Sequence, residues 1–151
     1  MKEVRREEAE EAARQSKIRA DNKKRLEEGR LWLAENKKKP GVMTRTSGLQ
    51  YKVIKEGQGT KPKVTSIVTI HYIQKRIDGK IISSNEKLLE PVSDSSYKGL
   101  IEGLQLMPVG SKFEFYIPSE LAYGERGGDD YDENEVAIFE IELLSILSSA
   151  P

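Results

Sequence analysis

The sequence predicts an α+β protein: a curved antiparallel sheet wrapped on one short helix, preceded by a long N-terminal helix. Three observations predict it. Residues 1–39 hold 13 Lys/Arg and 9 Asp/Glu, no proline and a single glycine, Gly29. From Val42 onward, apolar residues alternate with polar ones in segment after segment. Within that second part, only residues 97–107 place apolar side chains at helical spacing. A period of two marks half-buried strands and a period near 3.6 marks a helix. One helix and several such strands bury their apolar faces as layers around a shared core.

The first part is expected to be a charged helical arm, residues 1–40, ahead of a domain at 41–151. Glu, Arg, Lys and Ala dominate it, all favourable inside helices. Glu10 with Arg14 and Asp21 with Arg25 stand at i, i+4 spacing, which supports an isolated helix. The helix is predicted from near residue 2 to about residue 36, where "ENKKKPG" brings Pro40 and Gly41 as breakers. Its apolar residues are thin at first (Val4, Ala9, Ala12, Ala13, Ile18) and gather at Leu31, Trp32, Leu33 and Ala34. So polar a helix gains little by burying one face. Two readings stay open, a solvated arm and an arm that contacts a second copy of the chain. The apolar spacing does not repeat in the heptads of a regular coiled coil. Trp32 and its neighbours are expected to pack locally or at a dimer seam rather than hold a cofactor.

The strands follow in order. "GLQYKVIKEG" (48–57) puts Leu49, Tyr51 and Val53 on one face. "SIVTIHYIQKR" (66–76) puts Val68, Ile70 and Tyr72 on one face and His71 on the other. Asp78-Gly79 is a strong hairpin signal, expected as a two-residue turn with both residues at positive φ. "KFEFYIP" (112–118) aligns Phe113, Phe115 and Ile117, and "VAIFEIELLSIL" (136–147) aligns Phe139, Ile141 and Leu143. In "YKGLIEGLQLM", Leu100, Ile101, Leu104 and Met107 form the helical stripe, ended by Pro108 and Gly110. A helix laid across such a sheet leaves a concavity between them.

Composition removes several classes of function. With 25 Lys+Arg against 25 Asp+Glu the formal net charge is zero, which does not draw nucleic acid or an anionic membrane. The arm is basic by 13 − 9 = 4, but its charges are mixed and no aromatics interleave them. Mean hydropathy is −0.61, and no apolar run approaches a bilayer span. "MKEVRREEAEEAARQ" lacks the apolar core of a secretory signal. There is no cysteine, so neither a thiol nucleophile nor a disulfide is available. His71 is the only histidine and no Gly-x-Ser-x-Gly elbow occurs, which excludes a serine–histidine hydrolase. His71 is expected to be a structural or surface residue. "DYDENE" sets Asp130, Asp132 and Asn134 at calcium-loop spacing, but without the glycine and closing glutamate of such a loop. A solvated acidic loop is the expectation there, with no metal and no cofactor.

The motifs, taken in order, resemble the FKBP-type peptidyl-prolyl cis-trans isomerases: "SGLQYKVIKEGQG", "VTIHY" with "DG" following, "IEGLQLMPVGSKFEFYIPSELAYGERG", and "VAIFEIELL". They cover residues 47–147 almost continuously. The charged helix running into "ENKKKPGVMTRTSGLQY" is similar to the Mip/FkpA branch of bacterial FKBPs, whose N-terminal helices mediate homodimerisation. The resemblance implies a prolyl isomerase assisting protein folding, acting on proline-containing peptides or unfolded proteins without metal or general base. It also implies a periplasmic or cell-envelope setting, with a cytoplasmic one left open by the sequence as it stands. Tyr72 would form part of the pocket wall, the Tyr123 hydroxyl would bond a peptide carbonyl, and Phe139 would close the pocket base.

Where the sequence departs from that family, the departures fall on the pocket. Ile82 and Ser83 stand where the family has Phe and Asp, and Leu100 where it has tryptophan. Ser96-Tyr97 replace Val-Ile, and Tyr131 to Glu133 replace the Ile-Pro-Pro of the flap. Ile82, Ser83, Tyr97, Leu100 and Tyr131 are therefore the expected substrate-contacting positions. Loss of the indole at Leu100 and of the charge at Ser83, with an acidic rim (Asp129, Asp130, Asp132, Glu133, Glu135), is expected to weaken isomerisation and shift preference toward basic peptides. The alternative is a catalytically poor FKBP-fold module that holds peptides as a chaperone.

Overall fold

The computed structural model describes residues 2–89, 91–95, 97–122 and 134–149. Helix α1 runs Lys2–Asn36, as the composition predicts. The strands are β1 (Val42–Thr44), β2 (Gln50–Lys55), β3 (Ser66–Lys75), β4 (Ile81–Leu89), β5 (Lys112–Ile117) and β6 (Ala137–Ser149), with helix α2 (Lys98–Leu104) between β4 and β5. They form one sheet in the order β1-β2-β5-β6-β3-β4, with every neighbouring pair antiparallel. The three-residue β1 was not expected from the periodicity, which cannot register so short a run. Pro40 and Gly41 end α1, and Gly41 at φ 83° turns the chain straight into it.

The inner face of the sheet carries the main core. Val68, Ile70, Phe113, Phe115, Ile117, Phe139, Ile141 and Leu143 are all buried on it, with Leu100 and Leu104 of α2 above. Complete burial of each such side chain is worth about 1.5–3 kcal/mol relative to exposure. Helix α2 is shorter than the predicted 97–107, since its last expected residues form a turn that leads Met107 into the core. Its glycines let it lie close on β5. A Cβ at Gly103 would stand 2.5 Å from the Phe115 ring, and one at Gly99 would stand 2.6 Å from Ile117. Glu102, on the other side of α2, holds the β1–β2 turn by accepting from Arg45 at 2.8 Å and Ser47 at 2.6 Å.

The hairpin at Asp78-Gly79 differs from expectation. Only Gly79 has positive φ, at 88°. The Gly79 N–H donates to the Arg76 carbonyl, and the Arg76 N–H donates to that of Lys80. This is a three-residue loop, a tight turn followed by one left-handed glycine. The Asp78 carboxylate accepts from the Lys80 N–H at 2.8 Å, so it shapes the loop without leaving the ordinary half of φ space.

The C-terminal third of α1 covers part of the outer face. Trp32 and Leu33 pack with Tyr116, Val136, Ile138, Val42 and Ile77, and the Trp32 and Tyr116 rings lie 5.7 Å apart. Trp32 thus packs locally, the first of the two placements expected for it. Gly29 is buried where a Cβ would meet Val136 at 2.9 Å, which accounts for the one glycine in the helix. Asn36 and Gln50 are both buried, and the Asn36 amide donates to Gln50 Oε1 at 2.9 Å. Residues 5–21 of α1, by contrast, are exposed throughout. Their ion pairing differs in one detail from the spacing rule, for Arg14 pairs with Glu11 at 2.8 Å rather than with Glu10.

Candidate active site

Three strands and the approach to α2 bring together most of the residues expected from the sequence. Tyr72 follows Val68 and Ile70 on the inner face of β3, and Phe139 lies on the same face of β6. Their rings are tilted at 6.2 Å. Tyr97, immediately before α2, meets Phe139 edge-on with ring centroids 5.0 Å apart. Such pairs contribute about 0.5–1.5 kcal/mol beyond the area they bury. Phe139 is 4 % exposed, Tyr97 6 % and Leu100 5 %, while Tyr72 and Ile82 are only half-buried. The result is an aromatic floor with a half-open tyrosine at its side.

A bulge aims the β4 residues into this site. Gln74 of β3 lies opposite Ser83, but Lys75 lies opposite Ile81, so Ile82 is an extra residue in β4. Bulges re-aim side chains and recur beside active sites. Here Ile82 packs against the core cluster, and the next residue, Ser83, reaches the Tyr72 hydroxyl at 3.3 Å. The Ser83 hydroxyl gives Tyr72 a neutral partner there.

Gln74 was not singled out from the sequence. It is 4 % exposed, lies opposite both Ser83 and Phe139, and its amide donates to the Tyr97 hydroxyl at 3.3 Å. A polar residue in phase with Val68, Ile70 and Tyr72 was the available signal, because buried amides require partners. Of the remaining predicted positions, Tyr123 and Tyr131 lie outside the described residues, as do Asp129, Asp130, Asp132 and Glu133. Among described residues, no group of three or more His, Asp or Glu could hold a metal ion. Asn134 of the calcium-loop reading donates its amide to the Asn22 carbonyl of α1 at 2.9 Å, and Glu135 receives Arg76 through both oxygens at 2.7 and 2.9 Å.

A set of ionisable groups sits on the opposite face of the sheet. Glu114 and Glu140 are directly opposed on β5 and β6, an arrangement that repels unless bridged. Lys75 bridges them at 3.2 and 3.4 Å, and Lys112 reaches Glu140 at 3.0 Å. Burial works to raise the Glu140 pKa, but Lys112 and Lys75 together hold it below the usual carboxylate value. For Lys75, burial works downward and the two glutamates outweigh it, leaving the ammonium pKa raised. Burial, with its bond to Glu114, pushes the Tyr116 hydroxyl pKa up. His71 lies on this outer face between Glu86 and Glu142 of the neighbouring strands, away from the aromatic pocket, in keeping with a surface role. What the gathered residues supply is apolar surface, hydroxyls and an amide.

A six-stranded antiparallel sheet packed on one short helix, with an aromatic cluster between them, defines an α+β class of domain. The comparisons narrow it. A family profile described as "FKBP-type peptidyl-prolyl cis-trans isomerase" matches residues 58–144. A second, described as the domain amino terminal to it, matches residues 1–53. The chain is 46 % identical over 137 residues to an FKBP-type peptidyl-prolyl cis-trans isomerase FkpA of Aeromonas hydrophila, covering 89 % of this chain and 50 % of that protein. It is 41 % identical over 143 residues to the outer membrane protein MIP of Legionella longbeachae, covering 89 % and 61 %. The crystal structure of FkpA from Escherichia coli superposes with a TM-score of 0.87 at 30 % identity, covering 98 % of this chain and 71 % of that one. The chain therefore belongs to the FKBP-type peptidyl-prolyl cis-trans isomerase family. It spans about half to three fifths of the length of the curated relatives it matches.

Proposed function

We propose that this chain is a peptidyl-prolyl cis-trans isomerase that assists protein folding. The observation that carries the reading is the aromatic cluster in which Tyr72 and Tyr97 both pack on Phe139, beside the Ile82–Ser83 bulge. Rotation about an X–Pro bond is slow because the amide has double-bond character, and the barrier is about 18–20 kcal/mol. A dry aromatic hollow disfavours the planar, charge-separated amide and accepts the twisted one, which is catalysis by differential binding. Tyr72 supplies wall and hydroxyl, Phe139 the base, and Tyr97, Leu100 and Ile82 the remaining apolar surface. Tyr123 and Tyr131 complete the assignment by family resemblance, with the Tyr123 hydroxyl holding a peptide carbonyl. No step calls for a general base.

The test is isomerisation of a short X–Pro peptide series by wild type and by Phe139→Leu. Acceleration that drops in the variant supports the enzyme. A folded chain that accelerates no peptide but still suppresses aggregation of an unfolded protein is the holding module instead, the reading that Leu100 and the uncharged Ser83 favour.

The long exposed stretch of α1, residues 5–21, supports a second copy of the chain as partner for an arm at residues 1–40, with the isomerase domain at 41–151. Sedimentation equilibrium tests this, and a monomer at all concentrations overturns it. We place the protein in the cell envelope on the strength of the relative named an outer membrane protein. Among described residues no helix is long and apolar enough to cross a membrane.

A further inference from the structure

One of the cavities lies on the outer face of the sheet, away from the Tyr72–Phe139 aromatic cluster. It measures about 350 Å³, within the range of about 300–1,000 Å³ usual for ligand clefts. Trp32 and Tyr116 form its aromatic side, Val42, Ile77 and Ile138 its aliphatic side, and Lys39, Lys52, Lys75 and Arg76 reach it against one carboxylate, Glu114. Those charges are not equally committed. Lys75 is held by Glu114 and Glu140, and Arg76 by Glu135. Glu114 is further occupied as acceptor of the Tyr116 hydroxyl at 2.7 Å. Lys39 stands over the Trp32 ring at 5.5 Å, and neither it nor Lys52 has a carboxylate partner among the described residues. Val42 and Lys52 are directly paired on β1 and β2, so an apolar wall and an uncommitted cation share one end of the cavity.

We propose that this cavity is a second peptide-docking site, taking a segment in which a large apolar side chain adjoins an aspartate or glutamate. The aromatic and aliphatic walls take the apolar side chain, and Lys39 and Lys52 take the carboxylate. A ring laid against the half-buried Trp32, beside Val42 and Ile77, gains aromatic and aliphatic contacts, and the charge selects the neighbouring residue rather than supplying most of the affinity. Recognition here needs no proline, so it is separate from the isomerase reading.

Trp32 is the only tryptophan in the chain, so its emission reports on this cavity alone. The probes are two capped, proline-free tetrapeptides, Gly-Phe-Asp-Gly and Gly-Phe-Asn-Gly, titrated into the whole chain. The expected result is a saturable emission change with the Asp peptide. The Asn peptide and the Lys39→Gln/Lys52→Gln variant should each bind roughly three- to tenfold more weakly, the range that partly exposed charge pairs supply. Both lysines are exposed and outside the aromatic hollow, so the variant keeps its fold and its isomerisation rate. No saturable change, equal binding of the two peptides, or binding unaffected in the variant would each overturn the proposal. So would phenylacetate binding as tightly as the Asp peptide, which would make this a small-anion site. Loss of isomerisation with peptide docking intact would sink only the isomerase reading.

Discussion

The Tyr97 ring stands edge-on to Phe139 with centroids 5.0 Å apart, and its hydroxyl accepts from the buried Gln74 amide at 3.3 Å. Leu100, three residues further on, occupies the position where the family resemblance expects an indole. The aromatic surface given up there is partly restored by the residue that precedes α2. Tyr97→Phe should keep the ring contact and cost about 1 kcal/mol, because a buried amide loses an acceptor. Tyr97→Leu loses the aromatic pair as well, for about another 0.5–1.5 kcal/mol. Thermal unfolding should rank them wild type, Phe, Leu, and X–Pro turnover should fall mainly in the leucine variant.

The Tyr72–Ser83 contact, at 3.3 Å, is a long hydroxyl pair. Bonds to a charged acceptor are roughly twice as strong as neutral ones. Ser83→Asp should therefore fix the Tyr72 hydroxyl more firmly and raise kcat/KM about two- to fivefold. Repeating the substitution in a Tyr72→Phe background is the control, as the gain should vanish there. A gain that survives would assign the effect to the charge alone.

Gly103 lies under the Phe115 ring, where an added Cβ would stand 2.5 Å away. Alanine is the better helix former, yet Gly103→Ala should destabilise by about 1–3 kcal/mol through overpacking. Urea unfolding measures it. Equal or greater stability would mean that α2 can lift from β5 at little cost.

The outer-face ladder makes stability depend on pH at both ends. Glu140 has its folded pKa held below the ordinary carboxylate value, so its contribution is present above that value and is lost as pH falls through the folded one. Lys75 has its folded pKa raised above the ordinary lysine value. Its contribution is complete below that value and disappears as pH rises through the folded one. Glu140→Gln should flatten the acid limb of a plot of unfolding midpoint against pH, and Lys75→Met should flatten the alkaline limb. An acid limb unchanged in Glu140→Gln would remove Glu140 from the ladder.

Much of this could be read directly. The α1 helix, the phases of β3, β5 and β6, and the buried set Phe113, Phe115, Ile117, Phe139 and Ile141 follow from periodicity, because one face of each element meets the core. The phases of Tyr72 and Phe139 came from the same alternation, and both lie on the inner face. Gln74 was missed because a single amide in an apolar phase looks like a lapse in the pattern until its partners are known. The turn after Ile77 was misjudged because Asp-Gly fits both two- and three-residue loops, and the hydrogen bonds of Arg76 choose between them.

By itself the sequence determined which segments are helix and strand and which face of each is apolar. Those are local properties, set by side-chain period and backbone preference. Only the tertiary structure decided that Ile82 is an extra residue in β4, that Tyr97 reaches Phe139, and that α1 docks by Trp32 and Asn36 while leaving residues 5–21 bare. Each of these depends on strand register or on contacts between residues far apart in the chain. A one-residue shift in register sends every side chain to the other face, and no local pattern in a single strand states which partner it will meet.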